Sequence, residues 1–178
     1  SWTFNTNTDF MADCGENKEK VTRDTKRVND FGSLAYNLSE YASTNGSYPN
    51  LSSGSYIQGM STSKWPSWQS NLGNTLGQTL FEDPINAFDQ TDCVYEPNDA
   101  NPAAGKYYDT DAGTCWDPVN SVYTCSGDSY VYQYMSSDGS SYNLYANLEY
   151  TGANWDESVT DPCTDPSTCE CFNYQVNS

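Results

Sequence analysis

The stretch ENKEKVTRDTKRVNDFGSLAYNLSEYASTNG, residues 16–46, decides how the rest of this chain is read. Val21, Val28, Phe31, Leu34, Ala35, Leu38, Tyr41 and Ala42 recur in it at three-, four- and seven-residue intervals, the stripe that an α-helix buries along one side. Glu16, Lys18, Glu19, Lys20, Arg23, Asp24, Lys26, Arg27, Asp30 and Glu40 fall on the other faces, where charge stays hydrated. The pattern predicts a helix over 16–45. It stops at Asn45-Gly46-Ser47-Tyr48-Pro49, because Gly46 can supply a left-handed cap and Pro49 lacks the N–H that continuation needs.

No later segment reads as a long helix. Residues 66–77 predict a short one, with Pro66 at its first position and Trp68, Leu72 and Leu76 on one side. Leu80-Phe81-Glu82-Asp83-Pro84-Ile85-Asn86 closes it with an Asp-Pro turn. Further on the period changes to two. Tyr130, Tyr132 and Tyr134 alternate with Val131 and Gln133, and Tyr142, Leu144, Ala146 and Leu148 form a second alternating run beyond Asp138-Gly139. Two such runs around an Asp-Gly pair predict a hairpin over 129–150. The fold class expected is α+β: one long N-terminal α-helix packed on a small antiparallel β-sheet of three to five strands, with disulfide-stapled loops.

The remaining segments organise around that unit. Residues 1–15 read as an N-terminal extension with a weak extended signal in Trp2, Phe4, Thr6, Thr8 and Phe10. The globular domain runs over 16–150, with an acidic, turn-rich insert at 88–126, and residues 151–178 read as a cysteine-rich C-terminal loop.

Composition narrows the function. The 178 residues suffice for one domain with its own core. Hydrophobic content is only 36%, so the 15 tyrosines must supply much of the apolar mass. The formal charge is −17, and five of the seven basic residues, Lys18, Lys20, Arg23, Lys26 and Arg27, crowd into the start of the helix. Such a body offers no broad basic face for phosphates, so nucleic acid is not expected as a partner. No strictly apolar run exceeds three residues, so nothing in the chain reads as membrane-spanning. Without histidine, Ser-His and Cys-His relays are excluded, and no nucleophile, base and orienting group stand at recognisable spacing; an enzyme is not expected.

Cys14, Cys93, Cys115, Cys125, Cys163, Cys169 and Cys171 have no histidine and no repeated Cys-x-x-Cys spacing, which does not make a zinc site. Disulfides in an oxidising, extracellular or cell-surface location account for them better. Cys115 with Cys125, and Cys163 with Cys169 or Cys171, would close short loops; Cys14 and Cys93 are the long-range candidates, and one thiol is left over.

The order of these signals resembles the globular part of type IV pilin-like proteins, above all the major pseudopilins of type II secretion. The pieces are Arg23-Asp24-Thr25-Lys26-Arg27, Tyr41, Asn45-Gly46-Ser47-Tyr48-Pro49, Trp68, the 80–86 turn, Tyr132-Gln133-Tyr134 and Tyr142-Asn143-Leu144-Tyr145-Ala146-Asn147-Leu148-Glu149. The family's apolar first helix half is not among them; Trp2 to Gly15 stands in its place, and the 93–125 insert is a second departure. The resemblance implies a structural subunit of an extracellular filament, whose partners are copies of itself or related pilins, with the sheet facing outward. Any membrane contact would come through a segment outside this chain. The basic residues Lys18, Lys20, Arg23, Lys26 and Arg27 are then expected to meet an acidic face of the adjacent subunit.

Asp109-Thr110-Asp111-Ala112-Gly113, with Asp117 behind it, has the alternating carboxylates of a calcium loop but does not complete an EF-hand, and the same spacing suits a solvated acidic turn. Major pseudopilins carry a calcium-stabilised loop in the sheet region, so the resemblance favours calcium as a cofactor there. The rival reading of the whole chain is a secreted calcium- or carbohydrate-binding recognition module that uses its aromatic surface. Asn37, Asn45 and Asn50 each begin an Asn-x-Ser sequon, which permits glycan attachment only where the host has the machinery, and chance accounts for them well enough in so Asn- and Ser-rich a chain.

Overall fold

The computed structural model describes residues 8–55, 58–87, 107–109, 114–117, 122–124, 129–150 and 173–178; at 8–14, 16 and the strands between 107 and 124 it describes the backbone alone. Helix α1 spans Thr8–Asn45, 38 residues and about 57 Å at the α-helical rise. Its end is the one expected: Gly46 sits at φ 78°, and its N–H donates to the Ala42 carbonyl at 2.8 Å. Its start is not. Residues 8–15, expected to be extended, are helical. The alternation there spans too few residues to compete with a helix already nucleated downstream. Gly15 costs that helix only its propensity penalty, since a Cβ added there would touch nothing.

The buried side of α1 also differs from the apolar reading. Phe31, Leu34 and Leu38 are buried, with Ala35 packed beside them, but Val21 is 38% exposed. Asp24, Arg27 and Asp30 are buried instead. Asp24, Arg27, Phe31, Leu34 and Leu38 follow one another at intervals of three, four, three and four. The helix therefore has one continuous buried stripe whose upstream end is ionic.

That stripe lies on a four-stranded, wholly antiparallel sheet. Its strands are β1 (Met60–Thr62), β5 (Gln133–Met135), β6 (Asn143–Ala146) and β7 (Tyr174–Asn177), in the order β1-β5-β6-β7. Tyr134 stands opposite Leu144, and Leu144 opposite Val176. These residues face the helix together with Tyr132, Tyr142 and Ala146. Phe31 meets the Tyr132 ring edge-on at 5.0 Å and the Tyr174 ring at 5.6 Å, so aromatic pairs carry part of the contact between helix and sheet. Each apolar side chain buried here contributes about 1.5–3 kcal/mol.

The opposite face of the sheet is withdrawn from solvent as well. Met60, Thr62, Gln133 and Tyr145 are buried within the chain itself. The hairpin is present, but its Asp-Gly pair sits inside a seven-residue connection, 136–142, instead of forming a two-residue turn. The reason is tertiary: the Gly139 carbonyl leaves the hairpin to accept the Tyr48 N–H at 2.8 Å. Residues 174–177, read as part of a C-terminal loop, return as the edge strand β7.

The short helix begins at Pro66 as expected but passes through a π-helical stretch, Trp68–Gly73, before α2 (Asn74–Leu76). Trp68 and Leu72 are fully buried, and the Trp68 indole N–H donates to the Phe81 carbonyl at 2.9 Å. The insert, read as turns, contains a three-stranded antiparallel meander, β2 (Tyr107–Asp109), β3 (Thr114–Asp117) and β4 (Val122–Thr124). Among the described residues no helix is long and apolar enough to cross a membrane.

Candidate functional site

The ionic end of the helix stripe is the most organised chemistry among the described residues. Asp24 and Arg27 lie one turn apart on α1, and a 2.7 Å hydrogen bond from Arg27 joins them. The Asp-Pro turn brings Asp83 over the same point. Arg27 donates to both of its oxygens, from Nε at 2.6 Å and from Nη2 at 2.9 Å. The segment after β6 brings Glu149, three residues past the strand, which accepts from Arg27 Nη1 at 2.6 Å and from Arg23 Nε and Nη2 at 2.7 and 2.5 Å. The Arg27 guanidinium also stands over the Tyr130 ring, 5.1 Å from its centre.

Backbone groups complete the arrangement. Asp24 accepts the Glu149 N–H at 3.0 Å and the Tyr150 N–H at 2.8 Å. Asp83 accepts the Ile85 N–H at 2.8 Å, which shapes its own turn. One turn further along the helix, Lys26 pairs with Asp30, and the Tyr132 hydroxyl donates to Asp30 at 2.7 Å. Three cations thus meet four carboxylates, with backbone N–H groups spreading the excess negative charge.

Electrostatics follow from that geometry. Burial works against the Arg27 charge, but Asp83, then Glu149 and Asp24, outweigh it and hold the guanidinium protonated more firmly than usual. Burial pushes the Glu149 carboxyl upward, yet the hydrogen bonds from Arg23 and Arg27 prevail and hold it below its ordinary 4.5. Burial, reinforced by Asp30, raises the Tyr132 hydroxyl above its ordinary 10. A cluster of this kind ties three chain segments, residues 23–30, 83–86 and 149–150, to one guanidinium. It is a mechanical clamp, and a planar bidentate donor is what lets one side chain serve three carboxylates.

The structure distributes the expected site residues unevenly. Of the five cations assigned to a subunit contact, Lys18 is exposed and Lys20 half-buried, whereas Arg23 and Lys26 are engaged in pairs within the chain. Arg27 is withdrawn altogether, with no exposed side-chain surface, so it cannot reach a neighbour. For the calcium candidates, β2 and β3 pair Asp109 with Thr114, and Asp117 lies three residues further along β3, about 10 Å in strand rise. Asp111 and the side chains of that meander lie outside the described residues, as do Cys93, Cys125, Cys163, Cys169, Cys171 and the side chains of Cys14 and Cys115. Among the described residues no group of three His, Cys, Asp or Glu side chains is placed to hold a metal ion.

Reading charge as exposure missed Asp24, Asp30, Asp83 and Glu149. The stripe spacing of Asp24 and Arg27 with Phe31 was the available signal, and nothing local marks Glu149. Three of the quoted motifs nonetheless converge here: Arg23-Asp24-Thr25-Lys26-Arg27, the Asp83-Pro84 turn and the Leu148-Glu149 end of the second alternating run. Beside the Asp30 end, a cavity of about 50 Å³ lined by Phe31, Leu34, Asn37, Leu80 and Tyr132 has room for one or two waters. No protein family matches this chain, and neither a curated protein nor a solved structure matches it.

Proposed function

We propose that this chain is the globular part of a structural subunit in an extracellular filament of the type IV pilus or type II secretion pseudopilus kind, with copies of itself or related subunits as partners. The observation that carries the reading is the ionic clamp that fixes α1, in which Arg27 holds Asp24 on the helix together with Asp83 and Glu149. Among the described side chains of α1, the first fully buried is Asp24. Ahead of it Asn17, Lys18, Glu19, Val21 and Thr22 are exposed. A helix fixed by an ionic clamp, with an exposed charged turn just ahead of it, suits a part that bears load between subunits. The proposal assigns the chain no catalysis, and a calcium ion at the β2–β3 meander remains part of it as a stiffening element.

The test is to shear surface filaments from the source cells and probe them with antibodies against this chain. Label along the filaments is the expected result. Label confined to free protein in the medium would overturn the proposal and favour a secreted recognition module. Within the filament reading, Lys18→Glu should weaken assembly and its dependence on salt, and unchanged assembly would remove the basic arm as a contact. Arg27 is unsuited to that experiment, because reversing its charge attacks the fold.

A further inference from the structure

The three sequons are not equivalent once folded, and we infer that Asn50 is an acceptor of N-linked glycan, with the polar groove beside it seating the first sugars. Asn37 lies in the middle of α1, half-buried, and lines the cavity beside Phe31 and Tyr132. The hydroxyl of its sequon is also engaged: Ser39 Oγ donates to the Ala35 carbonyl at 2.9 Å. Asn45 is exposed, but its amide Nδ2, the atom a glycan would occupy, donates to the Tyr41 carbonyl at 2.9 Å and helps close the helix. Asn50 is exposed in the loop after Pro49, and among the described residues neither its amide nor the Ser52 hydroxyl is hydrogen-bonded. A surface loop is where this modification is accommodated without loss of packing.

The second observation is the groove itself. Asn50 borders an open groove of about 400 Å³ walled by Ser52, Ser53, Ser70, Asn71, Asn74 and Thr75. Not one of these carries a charge, and their hydroxyls and amides offer both donors and acceptors, which matches the alternating donor–acceptor character of sugar hydroxyls. The wall is rigid where it counts. Asn71 Nδ2 donates to the Ser53 carbonyl at 2.8 Å, and Asn74 Nδ2 to the Ser70 carbonyl at 2.7 Å, leaving the carboxamide oxygen of Asn74 and the Ser52, Ser53 and Thr75 hydroxyls facing no bonded partner among the described residues.

In the transfer, Asn50 Nδ2 attacks the anomeric carbon of a glycan carried on a lipid phosphate. The C–N bond forms as the C–O bond to phosphate breaks, the lipid phosphate departs, and the amide nitrogen gives up one proton to a base of the membrane transferase. The inference requires export from the cytoplasm; it does not require the filament.

Trypsin cuts after Arg27 and Lys64, so one peptide, 28–64, carries all three sequons. That peptide, taken from the protein made by its own cells, should show a glycan mass increment that fragmentation assigns to Asn50. Asn50→Gln should abolish the increment, and the recombinant, unmodified N50Q protein should melt as the parent does. A bare peptide, or a glycan carried at Asn37 or Asn45 in place of Asn50, overturns the inference whatever the filament experiment returns.

Discussion

Arg27 and Asp83, 56 positions apart, form a two-pronged ion pair at 2.6 and 2.9 Å in which neither side chain retains solvent exposure. A helix stripe and an Asp-Pro turn are thereby locked into one register. Removing a partner from such a pair leaves uncompensated charge in the interior, which is costlier than never having built the pair.

Arg27→Ala should therefore destabilise the fold by about 3–5 kcal/mol, because Asp24, Asp83 and Glu149 lose their common partner. Arg27→Lys should recover only part of this, since an ammonium cannot make the bidentate bond. Urea unfolding measures both. A loss under about 1 kcal/mol for the alanine variant would mean the clamp is idle.

Acid should weaken the fold through Glu149. Its folded pKa lies below the unfolded 4.5, so its contribution is complete above about pH 4.5 and disappears as pH falls through the lower folded value. Glu149→Gln should cost about 2 kcal/mol at pH 7 and make the stability profile between pH 5 and 2 shallower than the parent's. Parallel profiles for the two proteins would rule Glu149 out as a source of the acid sensitivity.

Gln133 and Thr62 face each other across β5 and β1, and Gln133 Nε2 and Oε1 and Thr62 Oγ1 are buried without hydrogen-bond partners among the described residues. Such groups forfeit hydration for nothing in return. Gln133→Met, similar in volume, should leave stability unchanged or raise it by about 1 kcal/mol, and Thr62→Val should behave alike. A raised melting temperature supports this; a loss above about 1 kcal/mol would show that the amide is satisfied in solution, for instance by trapped water.

Gly59 and Gly46 share φ 78°, yet an added Cβ would sit 2.6 Å from the Ser136 carbonyl at the first and in open space at the second. Gly46→Ala should cost about 1 kcal/mol from backbone strain alone. Gly59→Ala should cost clearly more, because the Gly59 carbonyl also accepts the Ser136 N–H that joins β1 to β5. Equal melting temperatures for the two variants would contradict the crowding.

Calcium is separable from both filament and clamp. If Asp109, Asp111 and Asp117 hold the ion, calcium at a hundredfold excess over its dissociation constant should add about 2.7 kcal/mol, a gain that chelator reverses and Asp109→Asn with Asp111→Asn abolishes. Melting curves that coincide with and without chelator would remove the ion.

What local pattern determined is clear from particular residues. The 3.6-residue period of Phe31, Leu34 and Leu38, the Gly46-Ser47-Tyr48-Pro49 stop and the period-two runs ending in Tyr134 and Leu148 were each sufficient for their element, because each is a short-range packing or steric demand. The start of α1 at Thr8 and the strand at 174–177 were less legible, since a few residues of alternation are decided by the partner they find. What only tertiary structure could decide is the fate of charge. Arg27 looks solvated by its charge although it lies in line with Phe31, and it is buried because Asp83 and Glu149, remote in sequence, arrive at the same point and return in hydrogen bonds what desolvation takes away.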